Sequence, residues 1–158
     1  MSSFSLQIGE FTKKATEQTR RAAQELVLSL FTRIVYRTPV GNPAIWNSDF
    51  VAAAKKLGWI DDNYVAGTLR ANWQASIGSA KKDKLDTQDP NGMATVAKIR
   101  AVLALWDGKM PVYFTNNQPY AKAIEYGHSR LQAPQGMVRI SLADVTARIA
   151  EIVKRATS

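Results

Sequence analysis

The stretch VYFTNNQPYAKAIEYGHSRLQAPQGMVR, residues 112–139, decides the fold because it contains several strong local signals in succession. Its first residues alternate between apolar and polar side chains, which is the pattern of a half-buried strand. Pro119 suits the first position of a helix, and Gly127 suits the left-handed conformation that ends one. Between them, Tyr120 and Ile124 share one helical face. A turn containing proline and glycine then precedes a second helix.

Apolar side chains at helical spacing predict long helices at both ends of the chain. Residues 4–36 lack proline, and Thr38-Pro39 ends this helix because proline disfavours helical geometry in the residue before it. The apolar stripe of the first helix consists of Ile8, Phe11, Ala15, Ala22, Leu26, Leu30 and Ile34, widened late by Val27, Phe31 and Val35. The stripe of the last helix consists of Val138, Leu142, Val145, Ile149 and Ile152.

The predicted first helix is too long for the domain. At 1.5 Å per residue it measures about 50 Å, whereas a compact domain of this length has a diameter of roughly 39 Å. Two alternatives follow. Either Gly9 frays the first turns, or the N-terminal half, which is less apolar and more charged, projects and rests on a neighbouring subunit.

The middle of the chain predicts a small antiparallel sheet. Residues 72–79 alternate, with Trp73 and its i+2 neighbours on one side. Residues 90–106 have helical spacing between an Asp-Pro start and an Asp-Gly stop, and this helix should cover the sheet. A second strand begins at Val112. The sequence therefore predicts one α+β domain, residues 1–158, in which a small antiparallel sheet is packed by long N- and C-terminal helices and one middle helix.

The sequence predicts that residues 41–66 form a long loop, which we call the flap. The flap is inserted into the domain and contains a short helix at residues 48–57. The loop is too apolar for a free linker. Its large aromatic side chains are Trp46, Phe50, Trp59 and Tyr64. They either pack the flap onto the domain or form an adhesive surface for a partner protein.

Composition narrows the classes of function. The chain has no cysteine and one histidine, which excludes disulfides and leaves little for a zinc or other transition-metal site. No apolar run is long enough to span a bilayer, and no basic region followed by an apolar block precedes the domain, which argues against secretion. The net charge of +8 is compatible with nucleic acid, but the basic residues are scattered along the chain.

Polar residues near one another in sequence do not form a convincing catalytic or metal site. Glu125, His128 and Ser129 lack the strained turn that carries a hydrolase nucleophile, and we expect Glu125 to close a polar contact at a helix end. Asp61 and Asp62 lack the spaced oxygen ligands of a calcium loop. No phosphate-binding glycine motif is present. We therefore predict no catalytic residue, no metal, no cofactor and no enzymatic activity.

Three arginines are candidates for contacting phosphates: Arg70, Arg130 and Arg139. Trp73 beside Arg70 should point inward on its strand, so aromatic stacking on single-stranded bases is not expected. If these arginines contact DNA, the contact should be independent of base sequence.

Three segments together resemble the neck or tail-completion protein family of tailed bacteriophages, also described as head-tail connectors or minor tail proteins. They are TPVG at residues 38–41, AGTLRANWQASIG at residues 66–78, and residues 112–139. The positions that match the family motifs are Thr38, Pro39, Gly67, Arg70, Trp73, Asn116, Asn117, Pro119, Tyr120, Glu125, Tyr126, Gly127, Ala133, Pro134, Gly136 and Met137. Many family members connect the first two segments directly, whereas this chain interposes the flap.

The resemblance implies a structural component of the virion, made in the host cytoplasm. It implies a homo-oligomeric ring, a hexamer or dodecamer, that joins the portal or head-side adaptor to tail-side proteins around the DNA channel. Basic residues would then face DNA along the lumen, and no membrane is involved. A nonspecific nucleic-acid-binding accessory protein remains the alternative because of the net charge.

Overall fold

The computed structural model describes the backbone of residues 3–158 and the side chains from residue 10 onward. Its helices and strands, in chain order, are α1 (Ser3–Arg37), a 3-10 turn (Pro43–Ile45), α2 (Ser48–Lys56), α3 (Thr68–Ala71), β1 (Gln74–Ile77), α4 (Met93–Ala104), β2 (Val112–Thr115), α5 (Ala121–Glu125), α6 (Val138–Ala147) and α7 (Ile149–Thr157). Long helices at both ends pack around a two-stranded antiparallel sheet, which confirms the predicted α+β class.

Helix α1 spans 35 residues, or about 52 Å. It continues through Gly9, so fraying at that glycine does not shorten it. Its C-terminal half supplies Leu28, Phe31, Ile34 and Val35 to the core, whereas Phe11, also in the predicted stripe, is exposed. The side chain of Ile8 lies outside the described residues. The predicted apolar face is therefore buried only along the later turns of the helix.

The two strands pair antiparallel, as predicted, and their register places Gln74 opposite Thr115 and Ile77 opposite Val112. The alternation of burial differs from the sequence pattern at the end of β1, where Ser76 is buried and Ile77 is only half-buried. The Ser76 hydroxyl donates to the backbone oxygen of Ser79, which satisfies its polar group inside the domain. Helix α4 packs on β1, so the middle helix covers the sheet.

Three stacked aromatic rings connect α1 to the sheet. The ring centroids of Phe31 and Phe114 are 4.0 Å apart and nearly parallel, and those of Phe114 and Trp73 are 4.7 Å apart. Each such pair contributes about 0.5–1.5 kcal/mol beyond the area it buries. This stack joins residues far apart in the sequence into one hydrophobic core.

Helix α4 begins later than the predicted Asp89-Pro90 boundary. Asp89 accepts from the backbone N–H of Gly92 at 3.0 Å and from the backbone N–H and hydroxyl of Thr95, both at 2.7 Å. The helix itself starts at Met93 because Gly92 adopts a left-handed conformation with φ 79°. Asp89 therefore caps the helix, as predicted, from four residues before its first turn.

Helix α5 also begins later than predicted, at Ala121, because Pro119 and Tyr120 belong to the preceding turn.

The single C-terminal helix predicted from residue 138 is interrupted at Arg148, where φ −114° and ψ 10° lie outside helical geometry. Both α6 and α7 still pack against α1 through Val145 and Ile152. No proline or glycine marks the interruption, so apolar spacing alone could not reveal it.

The flap packs on the domain through its aromatic residues. Trp46 contacts both Phe50 and Tyr64, with ring centroids 5.2 Å apart in each pair. Trp59 lies edge-on to His128 at 6.2 Å. Helix α2 forms at the predicted position, and the side chain of Asn47 caps its first turn by accepting from the backbone N–H of Phe50 at 2.8 Å.

Within the described chain, no helix is both long and apolar enough to cross a bilayer.

Candidate functional site

The motif residues at the end of α1 form a buried hydrogen-bond network. Thr38 is fully buried, and its hydroxyl donates to the backbone oxygen of Ile34 at 2.7 Å. The same hydroxyl accepts from the indole Nε1 of Trp73, also at 2.7 Å. Trp73 therefore points inward, as predicted, and Pro39 follows where the helix has already been closed. The network fixes the strand against the helix end.

Arg70 reaches the same helix end. Its Nε and Nη2 donate to the backbone oxygen of Thr38 at 3.2 and 2.6 Å, Nη2 also donates to Tyr36 at 3.3 Å, and Nη1 donates to Pro90. Burial lowers the pKa of Arg70 below its usual value. The guanidinium satisfies carbonyls that the C-terminus of a helix leaves unpaired and complements its negative dipole. Arg70 is therefore a structural cap in the isolated chain.

Gly67 makes this arrangement possible at the exit of the flap. Its φ of 89° is a left-handed conformation, and an added Cβ would lie 2.6 Å from the backbone nitrogen of Pro90. The backbone oxygen of Gly67 accepts from Asp89 at 3.3 Å. A glycine is required here by both conformation and space.

Glu125 organises the second block of motif residues. Its carboxylate accepts from the backbone N–H groups of Met137 at 2.7 Å, Val138 at 2.8 Å and Arg139 at 3.0 Å, at the start of α6. Burial alone would raise its pKa, but these backbone groups and the Arg139 side chain together hold the pKa of Glu125 below its ordinary value. The expected polar contact at a helix end is thus a cap on α6, which begins thirteen residues after Glu125 in the sequence.

The residues around Glu125 support this cap. Gly136 has φ 84°, and an added Cβ would lie 2.3 Å from the backbone oxygen of Glu125. Arg139 donates to that oxygen at 2.6 Å and lies over the Tyr126 ring at 5.0 Å. Gly127, with φ 91°, takes the predicted left-handed position. The motif is therefore a tightly packed connection between α5 and α6.

The other motif positions lie in the core or on its edge. Tyr120, Ala133 and Met137 are buried, whereas Pro119 and Pro134 are exposed in turns. Asn116 donates to the backbone oxygen of Leu69 at 2.8 Å. Asn117 donates to Lys81 and Asp83, both at 3.1 Å. The two asparagines therefore connect the end of β2 to segments on either side of β1.

The residues considered for catalysis do not assemble. The His128 Nδ1 lies 2.9 Å from the backbone oxygen of Ala123, and Glu125 is occupied by the α6 cap. No group of three or more histidine, aspartate or glutamate side chains with metal-binding geometry occurs in the described part of the chain.

The three candidate phosphate-contacting arginines have different environments. Arg70 is engaged with backbone carbonyls, and Arg139 pairs with Glu125 at 3.2 Å. Arg130 is exposed and makes no ion pair with the residues that the structure describes. Arg70 and Arg139 are therefore engaged within the subunit.

A charged network that sequence reasoning missed joins α1 to the C-terminal helices. Asp144 accepts from Arg33 at 2.6 Å, Arg37 at 3.0 Å and Arg148 at 3.3 Å. Arg37 is the main cause that lowers the pKa of Asp144. The partners on α1 lie more than a hundred residues from Asp144, so no local spacing could have indicated the pairing.

An apolar cavity of about 270 Å³ lies between the flap and the rest of the domain. It is lined by aromatic and aliphatic side chains, including Trp46, Trp59, Tyr64 and Tyr120. Burial, together with neighbouring Tyr64, raises the pKa of Tyr120 well above its ordinary value. The flap still exposes Ile45, so its apolar surface is only partly used within the subunit.

The N-terminal end of α1 extends beyond the part of the subunit that covers the rest of the helix. Helix α7 runs beside α1, and its last turn, at Val153 and Thr157, lines a shallow groove with Ala15. Beyond Ala15, α1 continues for about 18 Å to Ser3. The described side chains of residues 10–16 are all exposed, and Phe11 is 73% exposed. This overhang presents a large apolar side chain that the described part of the subunit leaves mostly in solvent.

Protein-family models, curated proteins and solved structures gave no match to this chain.

Proposed function

We propose that this chain is a structural protein of a phage neck, located in the virion. In this proposal it forms a homo-oligomeric ring, sixfold or twelvefold, between the portal or head-side adaptor and the tail-side proteins. The ring surrounds the DNA channel, and contact with DNA is independent of base sequence. The proposal rests first on the sequence resemblance and then on one structural observation, the uncovered end of α1.

The overhang suits contact with an adjacent copy. A ring forms when a surface of one subunit binds a different surface of the next and the rotation closes. The helix end provides the first surface, because Phe11 is 73% exposed and lies on a rigid helix that extends beyond α7. Burial of one phenylalanine stabilises such a contact by roughly 1.5–3 kcal/mol. Repetition of that contact around a closed ring adds further stability.

The tight motif networks fit the same role. The polar groups of Thr38, Arg70 and Glu125 form hydrogen bonds with backbone groups at helix ends inside the subunit. They hold the ends of α1 and α6 in fixed positions within the subunit. A rigid subunit suits an assembly in which every copy must present the same two surfaces.

Sedimentation equilibrium of the recombinant protein over a range of concentrations tests this proposal. We expect reversible association into a closed hexamer or dodecamer, and we expect Phe11→Asp to weaken it at least tenfold without lowering thermal stability. Leu105→Asp is the matched control, because Leu105 is 83% exposed at the far end of α4. Equal weakening by both substitutions, or a Phe11→Asp protein that associates as the parent does, would refute the contact.

A nonspecific nucleic-acid-binding accessory protein is the second candidate, favoured by the net charge of +8. It predicts salt-sensitive DNA binding by a protein that remains monomeric at all concentrations. The same sedimentation experiment, run with and without a short DNA duplex, separates the two candidates.

A further inference from the structure

Three lysines stand apart from the ion pairs that hold the domain together. Lys81, Lys82 and Lys84 are exposed, and none of them pairs with an acidic side chain in the described chain. They lie in the segment between β1 and α4, residues 80–88, which we call the lysine loop. By contrast, Arg33, Arg37 and Arg148 share one carboxylate.

The lysine loop has no helix or strand of its own, yet three amide side chains hold it in place. Asn72 is fully buried and both donates to the backbone oxygen of Leu85 at 3.0 Å and accepts from its N–H at 2.7 Å. Gln74 donates to the backbone oxygen of Asp83 at 2.8 Å. Asn117 adds bonds to the same oxygen and to that of Lys81. The backbone carrying the lysines is therefore fixed, while their ammonium groups stay free.

A fourth lysine extends this surface. Lys98, exposed on α4, lines the same cleft as Lys81 and Leu85. Four lysines thus stand near two acidic residues, Asp83 and Asp86, which gives the surface a net positive charge. None of the three candidate arginines lines this cleft.

We propose that the lysine loop, with Lys98, is the surface that contacts the phosphodiester backbone of double-stranded DNA. This inference rests on the proposed function, since the ring would repeat the loop at equal intervals around the channel. Lysine offers a compact, hydrated charge on a flexible stem, which suits contact with phosphates irrespective of sequence. The lysine loop takes the DNA-contacting role for which Arg70 and Arg139 were candidates, because the guanidinium groups of those two arginines are engaged within the subunit.

An acidic protein partner fits this surface less well. Stable protein interfaces centre on buried aromatic or arginine residues, whereas the only large apolar side chain of the loop is Leu85, which is half-buried and lines the cleft. Phosphate contacts need no such apolar centre, because release of counterions from DNA supplies the free energy.

Fluorescence anisotropy with a labelled DNA duplex, measured as a function of salt, tests the assignment. The variant is Lys81→Gln/Lys82→Gln/Lys84→Gln. The control is Lys56→Gln/Lys109→Gln/Lys154→Gln, which removes the same charge from exposed lysines elsewhere. Because each neutralised phosphate contributes about 0.9 to the slope of log K against log salt, we expect the loop variant to lose a slope of roughly 2–3. We expect the control to keep the parental slope.

Sedimentation of both variants keeps this inference separate from the ring. Loss of slope in the loop variant with unchanged association supports the lysine loop as the DNA surface. Equal loss in both variants, or no DNA binding by the parent at low salt, overturns it and leaves the proposed ring untouched. If the loop variant keeps its affinity for DNA but no longer associates with other copies, the assignment is also overturned. The lysine loop would then bind an acidic protein surface.

Discussion

Substitution of Glu125 by glutamine should destabilise the domain more than an ordinary surface substitution. The carboxylate accepts three backbone N–H groups at the start of α6 and one bond from the Arg139 side chain. Its side chain is only 15% exposed. Glutamine keeps the shape but removes the charge and one acceptor oxygen, so some of these amides lose their partner inside the domain.

The expected loss follows from those contacts. A hydrogen bond to a charged group contributes about 1.5–3 kcal/mol, and a lost helix cap costs about 0.5–2 kcal/mol. Because water can reach part of the helix end, we expect Glu125→Gln to lower the free energy of unfolding by about 2–3 kcal/mol. For a domain of this size that corresponds to roughly 5–10 °C in Tm.

Urea unfolding at several pH values measures this effect. The pKa of Glu125 is depressed in the folded state, so its stabilisation is fully present above the unfolded pKa, about 4.3, and is lost as pH falls through the folded pKa. The difference between parent and variant should therefore shrink below about pH 4.

The matched control is Glu151→Gln, because Glu151 makes an exposed ion pair with Arg155 on α7. Such pairs contribute about 0.3–0.5 kcal/mol, so this variant should unfold almost as the parent does. If Glu125→Gln costs no more than Glu151→Gln, or if its cost is the same at pH 7 and pH 3, the capping role of Glu125 is refuted.

Two further substitutions test the motif networks. Thr38→Val should cost about 1–3 kcal/mol because it leaves the buried Trp73 indole N–H without an acceptor, and Thr38→Ser should restore most of that loss in urea unfolding. Gly136→Ala should cost about 3 kcal/mol or more, since the new Cβ meets the backbone oxygen of Glu125 in a left-handed conformation. Gly58→Ala, with φ 67° and no atom within 4 Å, should cost only about 1–2 kcal/mol. Equal Tm values for the two alanine variants would contradict the close packing at Gly136.

Local patterns predicted the elements of the fold because their causes are local. The apolar spacing of residues 4–36 predicted a helix that the structure shows as Ser3–Arg37. The alternation at Val112 predicted a strand, and Gly127 the end of a helix. Each depends on neighbours within a few residues, which the sequence displays directly.

The environment of each side chain was less predictable. Phe11 follows the apolar spacing of α1 yet is exposed, because spacing shows which face can be buried and not what covers it. The interruption at Arg148 has no glycine or proline signal. Arg70 resembled a phosphate ligand, but its partners Thr38 and Pro90 lie 32 and 20 residues away, so its capping role depends on the tertiary fold.

The environment of the lysine loop, like that of Phe11 and Arg70, was not predictable from the sequence. The sequence displays Lys81, Lys82 and Lys84 as a charged loop between two elements. Its fixed position depends on Asn72 and Asn117, which flank the same end of the two-stranded sheet, where Gln74 pairs with Thr115. Asparagine is common in turns, so its sequence position alone did not distinguish a clamp from an ordinary turn residue.

Cryo-electron microscopy of assembled particles is the most direct test of the proposed ring. We predict a closed collar of six or twelve copies in which α1 of each copy lies on the next, so that Phe11 is buried between subunits. A collar built from other chains, a single copy of this protein, or a ring in which Phe11 stays in solvent would contradict it.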